Sequence, residues 1–178
     1  MLNVLRRSAA RRKAAESLAA SILLRARDSR FFRDLAVPDT FDGRFDMVTL
    51  HGWLVLERLR AEGDRGVSQA LINALFDAFE DALRDQGAGD MGMSRRVKKM
   101  ANAFYGRLQA YEKAAGPEDL ADALLRNIYR EEAARAGAAR SLAAYVLAAR
   151  ARLADRALSG GELDFGPLPG NPLEKAME

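Results

Sequence analysis

Residues 67–86, VSQALINALFDAFEDALRDQ, decide the fold. Leu71, Leu75, Phe79 and Leu83 recur every four residues, and Asp77, Glu80, Asp81 and Asp85 fall on the opposite side. That is the signature of a helix with one face on a core and the other toward water. Working toward the N-terminus, Gly63 and Gly66 break the chain, and a helix over about 45–62 carries Leu50, Trp53, Leu54 and Leu56–Glu57. Residues 36–46, with Pro38, Gly43 and three aspartates, read as a loop, and strand-like alternation shows only at 44–49. Before that loop, Leu18, Ile22 and Ala26, with Ala15 and Ala19 beside them, predict a helix over roughly 5–30.

Toward the C-terminus, residues 87–92 read as a turn in which Gly87 takes the position just past a helix end. Ser94 then reads as the N-cap of the next helix, whose apolar face is Val97, Met100, Ala101, Phe104, Leu108 and Tyr111. Gly116-Pro117 ends it, and Pro117 suits the first turn of a helix over about 117–135. A last helix over about 138–158 buries Leu142, Tyr145, Val146, Ala149 and Leu153. Residues 159–178 hold four Gly and three Pro without a period, and read as an extended tail that Leu163 and Phe165 could dock. The expected fold is all-α: an irregular single-domain bundle of about six helices, with a basic N-terminal helix and an extended C-terminal tail.

A chain of 178 residues favours one domain. It has no cysteine, which excludes disulfides and thiolate metal sites. Its apolar stretches fall far short of the ~20 residues that span a bilayer. The net charge is only +3, yet residues 1–30 hold eight Arg or Lys against Glu16 and Asp28. The basic character therefore sits in the N-terminal arm, at Arg6, Arg7, Arg11, Arg12 and Lys13 above all. An arm rich in Arg and Ala and poor in acid is similar to a mitochondrial transit peptide. The apolar pattern from Ala15 runs on into Phe31–Phe32 without a linker, which favours a structured helix instead.

No catalytic constellation emerges. Gly87-Ala-Gly89-Asp90-Met-Gly92 has dinucleotide-loop spacing but joins two helices, whereas that loop needs a preceding strand. Asp39, Asp42 and Asp46 around Gly43 lack the EF-hand spacing and read as turn and cap residues. His51 is the single histidine and has no ligand set around it, so no metal or cofactor is expected. His51 and Trp53 read first as packed residues, with a groove shared with Asp90 as the alternative.

The strongest functional signal is Arg95, Arg96, Lys98 and Lys99. Behind a Ser94 cap they would occupy the first turns of a helix, where partial positive charge already accumulates. Four misplaced cations there point to an anionic partner, whether RNA, lipid headgroups or an acidic protein patch.

Two long segments, VPDTFDGRFDMVTLHGWLVLERLR at 37–60 and FDAFEDALRDQGAGDMGMSRRVKKMANAFYGRLQAYEKA at 76–114, closely resemble the ubiquinol–cytochrome c chaperone family. ALLRNIYR at 123–130 and GGELDFGPLP at 160–169 extend the resemblance from about Ala15 to Phe165. It implies a basic arm at 1–14, the chaperone domain at 15–165 and a flexible tail at 166–178. It implies a non-enzymatic assembly factor for the ubiquinol–cytochrome c reductase complex that looks after newly made cytochrome b. In mitochondria such proteins act beside the ribosomal tunnel exit with a small partner protein; the compact, Ala- and Arg-rich chain is similar to the bacterial branch. The resemblance further implies a peripheral position at the cytoplasmic (or matrix) face of the inner membrane. Arg95, Arg96, Lys98, Lys99 and Arg107 are the expected client- or anion-binding residues, the arm is the expected membrane-surface contact, and DNA is not an expected partner. The competing reading is a basic helical protein that binds RNA or the ribosome and has no cytochrome client.

Overall fold

The computed structural model describes residues 2–87, 89–155, 158 and 163–168, with the side chains of residues 2–5, 90 and 91 outside the description. It is all-helical over the described residues. The elements are α1 (Leu2–Ala26), a one-turn α2 (Ser29–Arg33), α3 (Phe41–Ala61), α4 (Arg65–Asp85), α5 (Asp90–Glu112), α6 (Pro117–Asn127), a 3-10 turn at Ala133–Arg135 and α7 (Ala136–Ala154). The expected bundle is thus present. The N-terminal arm is continuous helix with the rest of α1, and exposure gives way to burial at Ala15.

The amphipathic elements bury the faces their periodicity assigns. Ala15, Leu18, Ala19, Ile22 and Ala26 of α1, and Val67, Leu71, Leu75, Phe79 and Leu83 of α4, all enter the core. So do Met100, Phe104, Leu108 and Tyr111 of α5 and Leu142, Tyr145, Val146, Ala149 and Leu153 of α7. Helix α3 differs in kind. Every residue from Phe45 through Leu56 is buried, about three full turns with no face to water. Helices α1, α4, α5 and α7 pack around it. Its first turn at 41–44 is partly exposed and reads as loop in the sequence because Pro38, Gly43 and the aspartates around it are turn signals. Locally the start is well marked: Thr40 is the N-cap, its hydroxyl oxygen accepting the Gly43 N–H at 3.1 Å.

Three other boundaries move. The expected 5–30 helix ends at Ala26, because Asp28 caps α2 by accepting the Arg30 N–H. The expected 117–135 helix ends at Asn127, where Arg130 and Glu131 take left-handed backbone with φ of 54° and 64°. Tertiary bonds drive that break: the Tyr129 hydroxyl donates to the Leu35 carbonyl at 2.8 Å and Arg130 reaches the Asp46 carboxylate at 3.0 Å. Helix α5 opens at Asp90 with Gly89 as N-cap, so Ser94 lies inside the helix and caps nothing. Gly87, with φ of 80°, ends α4 as expected. Phe165 and Leu163 dock on the core, while the expected flexible tail beyond Leu168 lies outside the described residues.

One close approach ties the α2–α3 connection to the start of α3. A Cβ at Gly43 would stand 1.9 Å from the Pro38 carbonyl oxygen, so no other residue fits without backbone movement. Gly106, in the exposed interior of α5, has nothing within 4 Å of that position. Gly43→Ala should therefore lower unfolding free energy by on the order of 3 kcal/mol or more in urea titrations. Gly106→Ala should raise it by roughly 0.5–1 kcal/mol. Equal tolerance of the two substitutions would refute the packing given for Gly43.

Candidate functional site

Helix α5 carries two kinds of cation. At 100° per residue, Arg95, Arg96, Lys98 and Lys99 span an arc of about 160° opposite Met93, Met100 and Phe104. All four are exposed and none pairs with another described residue. Because α5 starts at Asp90, they occupy its second and third turns rather than its first. Contrary to the expectation from sequence, the helix macrodipole does not oppose these charges, because it falls off within one turn. What singles them out is exposure without a counter-charge.

Arg107, two turns on, faces inward. Its Nε donates to Asp46 Oδ1 at 2.6 Å, its Nη1 donates to the Ala103 carbonyl at 3.1 Å, and the guanidinium lies 5.2 Å from the Phe45 ring centre. Arg130 holds the other carboxylate oxygen. Arg107 is therefore a structural counter-ion and is not available to a client or an anion. Burial pushes the Asp46 carboxyl up to about 6, against the pull of the two guanidiniums. The sequence gives little warning, because Asp46 looks like one more turn aspartate.

His51 and Trp53 are likewise interior and line no groove; the side chain of Asp90 lies outside the description. The His51 Nδ1 lies 2.8 Å from the Met47 carbonyl, which can only accept, so Nδ1 carries the proton. Its Nε2 then accepts from the Tyr145 hydroxyl at 2.9 Å, and that oxygen accepts from Arg25 Nε at 2.9 Å. Arg25 also donates to the Gly166 carbonyl, and Phe165 stands edge-on to His51 with ring centres 5.0 Å apart. One histidine thus joins α1, α3, α7 and the C-terminal segment. Trp53 packs on Tyr111 at 5.5 Å, with Arg150 5.8 Å from its ring centre. Thr49 Oγ1, Trp53 Nε1 and the Tyr111 hydroxyl are buried without a hydrogen-bond partner among the described residues.

Between α4 and α5 runs an open groove. Its floor is Ile72, Phe76, Met93, Val97, Ala101 and Tyr105, with Gln69, Asn73, Glu80, Ser94 and Lys98 on its edges. Tyr105 is 51% exposed, an unusual state for a large ring. The groove continues past Gln69, Ile72 and Tyr105 to Leu56, Leu108, Arg60 and Glu112. Sequence reasoning missed it because each lining residue looks like the margin of a core face. Among the described residues, no group of acidic or imidazole side chains is placed to hold a metal ion, and no helix is long and apolar enough to cross a membrane.

The described residues form an all-α domain whose interior charges pair with each other, with a groove and unpaired cations on its surface. The chain belongs to the ubiquinol–cytochrome c chaperone family, whose model matches residues 33–160. It is 26% identical over 106 residues to ubiquinol-cytochrome-c reductase complex assembly factor 1 of Xenopus laevis, covering 57% of this chain and 53% of that one. To the Drosophila melanogaster assembly factor 1 it is 30% identical over 108 residues, covering 56% and 42%. To the mitochondrial protein CBP3 of Saccharomyces cerevisiae it is 28% identical over 106 residues, covering 56% and 32%. The chain thus spans about half or less of the length of these relatives. The crystal structure of the Cbp3 homologue from Brucella abortus covers 93% of this chain and 98% of its own, with 32% identity and a TM-score of 0.78.

The buried histidine has a measurable consequence. Burial, helped by the Arg25 charge, pulls the imidazole from 6.5 down to about 4 despite its bond to Met47. Between those values the unfolded chain binds a proton that the folded chain refuses. The His51 contribution is therefore complete above pH 6.5 and is lost as pH falls toward 4. Asp46 has the opposite sign, since the folded carboxyl takes its proton first as pH falls through about 6. Comparing wild type with His51→Gln cancels the Asp46 effect. The stability gap between them should be widest near pH 7.5 and narrow by about 1 kcal/mol per pH unit below 6.5. A gap that does not change with pH would show that His51 is not held neutral.

Proposed function

We propose that this chain is a non-enzymatic assembly chaperone of the ubiquinol–cytochrome c reductase complex that receives newly made cytochrome b on its α4–α5 face. The observation that carries the reading is the half-exposed Tyr105 in a partly apolar groove edged by Lys98, on the same helix that carries the exposed Arg95, Arg96 and Lys99. An apolar helical segment laid in such a groove would be recognised by its spaced anchors, with the cations meeting acidic flanks or lipid phosphates. Family membership and the names of the relatives, assembly factors of that same complex, support it. The reading places the protein at the inner face of the inner membrane, close to where the client emerges, with the ribosome as a further contact and no cofactor of its own.

The test replaces Arg95, Arg96, Lys98 and Lys99 with Gln. Helicity should be unchanged, because all four are exposed and outside the first turn. Co-purification of cytochrome b and the haem b signal of the membranes should fall. Normal haem b in the variant strain would sink this role. If the wild type instead binds RNA with a steep salt slope that the variant loses, the competing RNA-binding reading takes over.

The arm contributes separately. Arg6, Arg7, Arg11 and Lys13 are exposed without a described ion pair, while Arg12 pairs with Glu16 at 2.8 Å. Each well-placed cation near an anionic surface contributes about 1 kcal/mol. Removing residues 1–13 spares the buried stripe from Ala15 onward and should leave the protein folded, but elute it from anionic vesicles at lower salt. Identical elution of the two forms would remove the membrane-surface role of the arm.

A further inference from the structure

A second cavity, of about 370 Å³, opens at the other end of α1, between α1, α3 and α4. That lies in the roughly 300–1,000 Å³ range of small-molecule sites. Its floor is apolar: Leu23 from α1, Phe41, Phe45 and Val48 from α3, and Phe79 and Ala82 from α4. Leu23, Phe41 and Ala82 are only partly buried, so the cavity presents apolar surface to the outside.

The mouth is charged with both signs. Arg44 and Asp39 pair across it at 2.7 Å and are neutral together. Arg27 and Asp85, also at the mouth, are exposed, and neither pairs with another described residue. One free cation and one free anion over an apolar floor do not match a simple fatty acid, whose carboxylate would gain from Arg27 and lose to Asp85. They match an amphiphile that carries a phosphate and an ammonium together. Leu24 is 76% exposed, next in sequence to Leu23 and one turn before Arg27. An exposed apolar side chain next in sequence to a lining residue suits the boundary of a bilayer, where such a molecule is drawn from.

We propose that the α1–α3–α4 cavity binds a single zwitterionic phospholipid. One acyl chain lies along Leu23, Phe41, Phe45, Val48 and Phe79, the phosphate meets Arg27, and the ammonium meets Asp85. The site is independent of the α4–α5 groove and of the N-terminal arm.

The probe is lysophosphatidylethanolamine held below its micellar concentration and titrated calorimetrically into the full chain. The wild type should bind one molecule. Ala82→Phe, which fills the floor, should weaken binding about tenfold or more. Arg27→Gln and Asp85→Asn sit on exposed positions and should fold normally, so they carry the test if Ala82→Phe does not. Both should weaken the zwitterionic probe. Asp85→Asn should at the same time strengthen binding of lysophosphatidylglycerol, which has no ammonium and is repelled by the native carboxylate. Loss of the basic α5 cluster should change nothing. Any of three results overturns the site: no saturable binding by the wild type, equal binding by all variants, or equally tight binding of phosphoethanolamine without its chain.

Discussion

Helix α3 leaves no face for water between Phe45 and Leu56, and the rest of the molecule answers that constraint. A helix buried all round cannot place its polar residues outside, so Asp46, Thr49 and His51 are interior by necessity. An unpaired buried carboxylate would cost several kcal/mol. Arg107 is brought from α5 and Arg130 from beyond α6 to meet it. The second of these fixes the backbone: Arg130 and Glu131 hold left-handed conformations at a cost of about 1–3 kcal/mol each, and α6 stops short so that they can. His51 makes the corresponding demand on the other side. Tyr145, Arg25 and the segment around Phe165 close over it. Elements remote in sequence are held together because one helix carries polar groups into the core.

The same constraint separates the cations by role. Arg107 and Arg25 lie against rings and carbonyls, fully engaged with the interior. Arg95, Arg96, Lys98 and Lys99, on the first of those arginines' own helix, meet no described counter-charge. Surface ion pairs such as Arg12–Glu16 or Arg84–Asp81 contribute little to stability. A cation without even such a pair contributes less, so a structural role does not explain the α5 cluster.

Where one face of a helix meets the core and the other meets water, the sequence was legible. Leu71, Leu75, Phe79 and Leu83 of α4 and the Ala15–Ala26 stripe of α1 stand where their spacing assigned them. The bundle, the Gly87 stop and the docking of Phe165 follow from the same local chemistry. Residues 41–44 were missed because Gly43 and the aspartates around it read as turn chemistry, although Thr40 was a cap in plain view. The break at Asn127 is invisible locally, since its cause is a carboxylate 84 residues away in the chain. The candidate site was half legible. Charge runs can be read from sequence, so the α5 cluster was found; its position relative to the helix start was not, nor was the inward turn of Arg107. The two cavities exist only once helices are packed, and no spacing along one segment announces them.

Helix α4 stands between the two proposed binding surfaces, and its sequence divides accordingly. Ile72 and Phe76 form part of the groove shared with α5, while Phe79, Ala82 and Asp85 line the cavity shared with α1 and α3. Phe76 and Phe79 touch edge to face, with ring centres 5.6 Å apart. The groove and the cavity are thus separated by little more than the ~10 Å diameter of one helix. A client segment leaving a bilayer and a lipid taken from that bilayer would be held on two flanks of α4. Leu23 and Arg27, at the C-terminal end of α1, lie on the cavity side of that helix, and Tyr105 and Lys98 lie on the groove side. Under the two proposals, lipid is met at the C-terminal end of α1 while the α5 face takes up a protein segment.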